Sequence, residues 1–168
     1  MPAGHRIRFS SLVLVLATTV SPAQAAGTVT VQFVEPERFA DARDARHDAR
    51  ENLRVLAGHI ESAAGRYLAT SDRLSVEVLE VDLAGEIRPS RQGLHDVRVL
   101  EGRADWPRIT LRYTLESAGQ PARSGEQTIS DMAYLQRSGG LFSGVALAHE
   151  KRMLDEWFHS RLAPGSPR

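Results

Sequence analysis

Ile109, Leu111, Tyr113 and Leu115 alternate without a break with Thr110, Arg112, Thr114 and Glu116. A period of two sends successive side chains to opposite sides of a strand, so this segment belongs in a sheet that is apolar on one face and wetted on the other. The apolar face must be covered, and the chain supplies a cover. Leu53, Leu56, Ala57, Ile60, Ala64, Tyr67 and Leu68 recur at helical spacing, and Ala42, Ala45 and Ala49 continue that stripe backwards. A one-faced sheet and a one-striped helix bury each other. The expected fold class is therefore α+β: a two-layer arrangement in which a mixed, mostly antiparallel sheet carries two helices on one face.

The remaining elements follow the same logic. Val29, Val31 and Phe33 form a short alternating strand closed by Pro36, and its crossover to the next strand is expected to be right-handed. From Asp41 to Arg50 a near-repeat of Asp-Ala-Arg puts Asp41, Asp44 and Asp48 on one helical stripe and Arg43, Arg46, Arg50 and Arg54 on another. This reads as the solvated, acid-led start of the first helix. A divalent-cation site is the rival reading, opposed by the neutralising arginines and the lack of a calcium loop. Gly58 and Gly65 each cost a helix about 1 kcal/mol, so they are expected to mark close approach to another backbone.

Leu74, Val76 and Val78 alternate until the phase slips to Leu79, Val81 and Leu83, which predicts a β-bulge near Val78-Leu79 with Glu80 and Asp82 turned outward. Residues 83–93 read as a loop, Val97 and Val99 as a short strand, Ser117 to Pro121 as a turn, and Arg123 to Ser130 as a polar edge strand. A glycine-rich loop at 138–144 leads to a last helix with Leu147, Leu154, Phe158 and Leu162 on its stripe, flanked by Met153 and Trp157 and ended by Pro164-Gly165.

The N-terminus speaks to compartment. His5, Arg6 and Arg8 precede an apolar stretch from Phe9 to Val20 and a small-residue site at Ala23-Gln24-Ala25, the three-part pattern of a cleaved signal peptide. That stretch is too short for a stable anchor. The chain divides into a signal peptide at 1–25, one α+β domain at 26–163 and a tail at 164–168. With Cys 0, lipid anchoring through cysteine, disulfides and thiolate chemistry are all excluded. Lys+Arg 21 balance Asp+Glu 21, and removing Arg6 and Arg8 leaves 19 cations against 21 acids. Such a chain lacks the basic excess of a nucleic-acid binder. The expected location is the periplasm or beyond it.

Few residue patterns in the chain point to a specific chemistry. His149-Glu150 opens like a zinc-protease helix, but Met153 stands where the second histidine would be. His149 and His159 lie about 80° apart and nearly three turns along a helix, too far to share a metal. His47, His59 and His95 read as surface histidines. No nucleophile elbow, phosphate loop or dinucleotide fingerprint occurs, so neither a metal nor a cofactor is expected.

Two constellations remain. Asp82 and Glu86 with Arg88 lie where a strand empties into a loop. Glu150 falls on the border of the last helix's apolar stripe, where a carboxylate needs a cation; Arg112 is the expected partner.

Val81-Asp82-Leu83-Ala84-Gly85-Glu86, Trp106-Pro107-Arg108-Ile109, Ser130-Asp131-Met132-Ala133-Tyr134-Leu135 and the run from Glu150 to Phe158 together resemble the bacterial domain-of-unknown-function family numbered 3016. The resemblance extends from about Thr28 to Phe158. It implies an exported envelope protein without an assigned reaction, and it draws Asp82, Glu86, Asp131 and Glu150 into shared motifs. The candidate binding residues are thus Asp82, Glu86, Arg88, Asp131 and Glu150. The leading expectation is a non-enzymatic binding module for an envelope protein or component, using the polar sheet face (Thr110, Arg112, Thr114) or the Asp82 to Arg88 loop. The alternative is a small hydrolase or lyase pairing Asp82 or Glu86 with Asp131.

Overall fold

The computed structural model describes residues 27–43, 48–90, 96–136 and 145–163. The expected signal peptide, glycine-rich loop and tail, together with His47 and His95, lie outside the described residues. In chain order the elements are β1 (Thr28–Phe33), α1 (Ala49–Gly65), β2 (Arg73–Asp82), β3 (Glu86–Pro89), β4 (Asp96–Val99), β5 (Arg108–Glu116), β6 (Arg123–Ser130) and α2 (Ala148–Leu162). Four strands form a mixed sheet in the order β1-β2-β5-β6, and β3 pairs with β4 in a separate ribbon. Among the described strands of this sheet, β1 and β2 run parallel, joined through α1, and the other neighbours run antiparallel. This is the α+β architecture that the two periodicities demand.

Leu74, Val76, Val78 and Val81 of β2 and Ile109, Leu111 and Leu115 of β5 share one apolar cluster with residues of both helices, among them Leu56, Ile60, Leu154 and Phe158. Each such burial stabilises by about 1.5–3 kcal/mol. The opposite face carries Thr110, Arg112 and Thr114 between the polar positions of β2 and β6. Across α1 and α2, Arg66 reaches Asp155 at 2.6 Å, and His59 Nε2 lies 3.2 Å from the same carboxylate and 3.0 Å from the Lys151 carbonyl. His59 is therefore not the surface histidine expected; its side chain, 19% exposed, is wedged between the helices.

The bulge is where the phase slip places it: the β2–β5 register shifts between Val78 and Glu80, skipping Leu79. Val81 returns to the core, while Glu80 sits opposite Thr110 and Asp82 opposite Arg108. Three other expectations are corrected. First, α1 does not begin at Asp41. Asp48 caps it, its side chain accepting from the Glu51 amide at 2.8 Å, an interaction worth about 1 kcal/mol. Asp41 instead bridges to Asp82, and Ala42 is buried with its carbonyl taken by Asn52, so tertiary pairing overrides the helical pattern of the repeat. Second, the 83–93 segment contains β3, which gains its ladder from β4 rather than from its own propensity. Third, a Cβ added at Gly58 or Gly65 would meet nothing within 4 Å, so neither glycine marks a close approach within the described residues.

Candidate functional site

At the end of β2 the chain turns inward through Leu83, Ala84 and Gly85, all buried. Backbone groups deprived of water need protein partners, and here every partner is remote in sequence. The Ala84 amide donates to Glu150 Oε1 at 2.8 Å, and the Gly85 amide donates to the Asp105 carbonyl at 2.8 Å. Arg98 of β4 donates to the Ala84 and Gly85 carbonyls at 3.1 and 2.8 Å and, through its other terminal nitrogen, to Asp41 at 2.7 Å and to the Arg43 carbonyl. Gly85 adopts φ +79, and a Cβ there would sit 2.4 Å from the Val99 carbonyl oxygen, so this turn admits glycine only.

A second turn, after β6, completes the cluster. The Asp131 amide donates to the Pro107 carbonyl at 3.3 Å. One Asp131 oxygen accepts from the Ala133 amide at 3.0 Å and the other from Arg152 at 3.0 Å. Arg152 also donates to the Tyr134 carbonyl at 2.8 Å. Tyr134, fully buried, donates its hydroxyl to Asp105 at 2.9 Å and packs edge-on against His149, ring centroids 4.9 Å apart.

Burial dominates the electrostatics. Desolvation, then the hydrogen bond to Asp105, pushes the Tyr134 phenol up to about 12, so it stays a donor at neutral pH. Burial alone would raise the Asp105 carboxyl, but the Glu101 amide, the Tyr134 hydroxyl and the Arg103 amide together hold it below the usual range. Burial, and then the charge of Arg152, lowers His149 below the ordinary imidazole value against the opposing pull of Asp131 and the Tyr134 carbonyl. Its Nδ1 is buried without a hydrogen-bond partner among the described residues.

The structure brings two of the five candidate residues to this place. Asp131 is held by Arg152, and Glu150, 3% exposed, anchors the Ala84 turn. Arg112 is not the cation for Glu150: it lies on the open sheet face, bonded to Glu77 and Glu126 at 2.9 Å each. Asp82 pairs with Arg108 at 2.7 Å, while Glu86, Arg88 and Glu101 form an exposed chain of ion pairs on the β3–β4 ribbon. Sequence reasoning missed Arg98, Asp105, Tyr134 and Arg152 as site residues and saw His149 only as a failed metal motif. Tyr134 and Asp105 stand 29 residues apart, so no local spacing signals their contact. Among the described residues no group of His, Asp or Glu could hold a metal ion, and no helix is long and apolar enough to cross a membrane.

Beside the cluster, an open groove of about 480 Å3 runs between the Asp131 turn and α2, lined by Ile129, Met132, Met153, Glu156 and Trp157. Met132 is 68% exposed at its rim. These features define an α+β domain whose sheet end is tied by a buried ionic network, with a partly apolar groove next to it. The four motifs quoted above meet there: the 81–86 segment through Ala84, the 106–109 segment through Pro107, the 130–135 segment through Asp131 and Tyr134, and α2 through Glu150 and Arg152. The chain belongs to the family described as protein of unknown function (DUF3016), whose family model matches residues 27–160. The resemblance read from the motifs is thereby confirmed. No curated protein matches the chain.

Proposed function

We propose that this is an exported protein of the cell envelope that works by binding a protein partner and catalyses no reaction. The observation that carries the reading is the commitment of its carboxylates: Asp82, Glu86 and Asp131 each contact an arginine, and Glu150 accepts a backbone amide. Acid/base catalysis in a hydrolase or lyase needs carboxyl groups facing a shared cavity and open to substrate. No observation favours that rival. The binding surface is the groove beside Asp131 rather than the Asp82 to Arg88 loop, because the loop's inner part is buried and the groove has at its rim the exposed Met132, an adaptable side chain suited to an apolar segment of a partner. Export rests on the N-terminal pattern of basic, apolar and small residues at 1–25.

Two measurements test this. The protein recovered from cells is expected to begin at Ala26, and a sequence beginning at Met1 would overturn export. A photo-crosslinking residue at Met132 is expected to yield a discrete protein adduct in cells, while the same residue at Thr114 on the open sheet face yields none. Equal yields at both positions, or none at Met132, would overturn the groove as the binding surface.

A further inference from the structure

Among the described residues, strand β1 is an edge of the sheet. The Thr28 amide donates to the Asp72 carbonyl and the Val34 amide to the Val78 carbonyl, both at 2.9 Å, so in the parallel register the even-numbered residues turn their backbone groups toward β2. The amides and carbonyls of Val29, Val31 and Phe33 then point outward, and no described group bonds to them. The two edges of the sheet differ in kind. Strand β6 carries Arg123, Gly125 and Glu126, features that discourage further pairing, whereas β1 reads Thr-Val-Thr-Val-Gln-Phe with no charge, proline or glycine.

Helix α1, packed on β1, shows a matching asymmetry. His59 and Arg66 mark the flank that faces α2. At about 100° per residue Arg54, Ala57 and Glu61 fall on the other flank, above the open edge. Arg54 and Glu61 are both exposed, and neither makes an ion pair within the described residues.

We propose that this edge is the interface of a two-fold homodimer, in which the sheet continues from one copy into the next. About an axis through Val31, Val29 pairs with the partner subunit's Phe33 and Val31 with its own copy, so the outward amides and carbonyls satisfy one another in hydrogen-bonded pairs. The polar Thr28, Thr30 and Gln32 stay on the open face, and the apolar alternates stay under the helices. The same axis runs α1 antiparallel to its copy. Ala57 and Gly58 then lie at the crossing, where small side chains let helices on one sheet approach to about 8–10 Å, and Arg54 faces the partner subunit's Glu61. A second copy fits better than a foreign strand because strand and helix flank are both self-complementary under one rotation. The proposal goes beyond the groove reading and stands or falls separately from the crosslinking at Met132.

Sedimentation of the protein as recovered from cells is expected to show a concentration-dependent dimer. Val31→Pro removes the central outward amide, which β2 does not use, and should raise the dimer dissociation constant about tenfold or more. Arg54→Glu and Glu61→Arg should each weaken the dimer, and the two combined should restore it by exchanging the partners of the ion pair. That rescue remains readable even if the proline variant folds poorly. A chain monomeric at every concentration, a dimer indifferent to a folded Val31→Pro, or a combined variant weaker than both single ones would overturn the proposal.

Discussion

On the open sheet face Arg112 bridges Glu77 and Glu126 at 2.9 Å with 51% of its side chain exposed, whereas at the buried sheet end Arg152 holds Asp131 at 3.0 Å with the two side chains 12% and 7% exposed. The geometry is nearly the same and the surroundings are not. In water the ions of the first group keep most of their hydration when they part, so their pairing contributes little. In the second group separation leaves a buried charge with neither water nor partner, so what binds them is mainly the cost of losing one member. The exposed group keeps a bare sheet face soluble; the buried group joins β6, its following turn and α2 into a single unit.

Three perturbations separate the two regions. The largest expected effect is from Arg152→Ala, which strips Asp131 of its cation and the Tyr134 carbonyl of a donor. Truncating one member of a buried pair costs about 3–5 kcal/mol, read in urea or thermal unfolding. A loss below about 1 kcal/mol would place this pair with the surface ones. A smaller effect is expected from pH. Burial lowers His149 in the folded state from its ordinary 6.5, so the unfolded chain binds the extra proton first. The contribution of neutral His149 is complete above that value and is lost as pH falls below it toward the folded one. His149→Phe keeps a ring against Tyr134 and removes the titration, so the fall in melting temperature on mild acidification should shrink. An identical pH profile in wild type and variant would contradict the buried reading of this histidine. The smallest effect is expected from Arg112→Ala, with a melting temperature unchanged within error. A loss as large as that of Arg152→Ala would erase the distinction between the two regions.

Much of the fold was legible because it is written locally. The alternation through β5, the stripe of α1 and the phase slip in β2 each reflect how neighbouring residues share a face, and each appears where that periodicity puts it. Of the site, Asp131 and Glu150 were legible as carboxylates inside motifs, but their partners were not. Arg112 had the right charge and the wrong face, since its place in the β5 alternation already pointed it away from the helices that carry Glu150.

The amino-acid sequence alone determined the layers of this protein and its family, because periodicity and contiguous motifs act over a few residues. Only the tertiary structure decided that Arg98 ties the Ala84-Gly85 turn to Asp41, that Tyr134 finds Asp105, that Arg152 holds Asp131, and that Glu150 receives the Ala84 amide while Arg112 stays on the open face. Those choices depend on which distant groups lose their water together, and a desolvated amide or carboxylate is satisfied by whatever the packed chain brings within about 3 Å, whatever its distance in sequence.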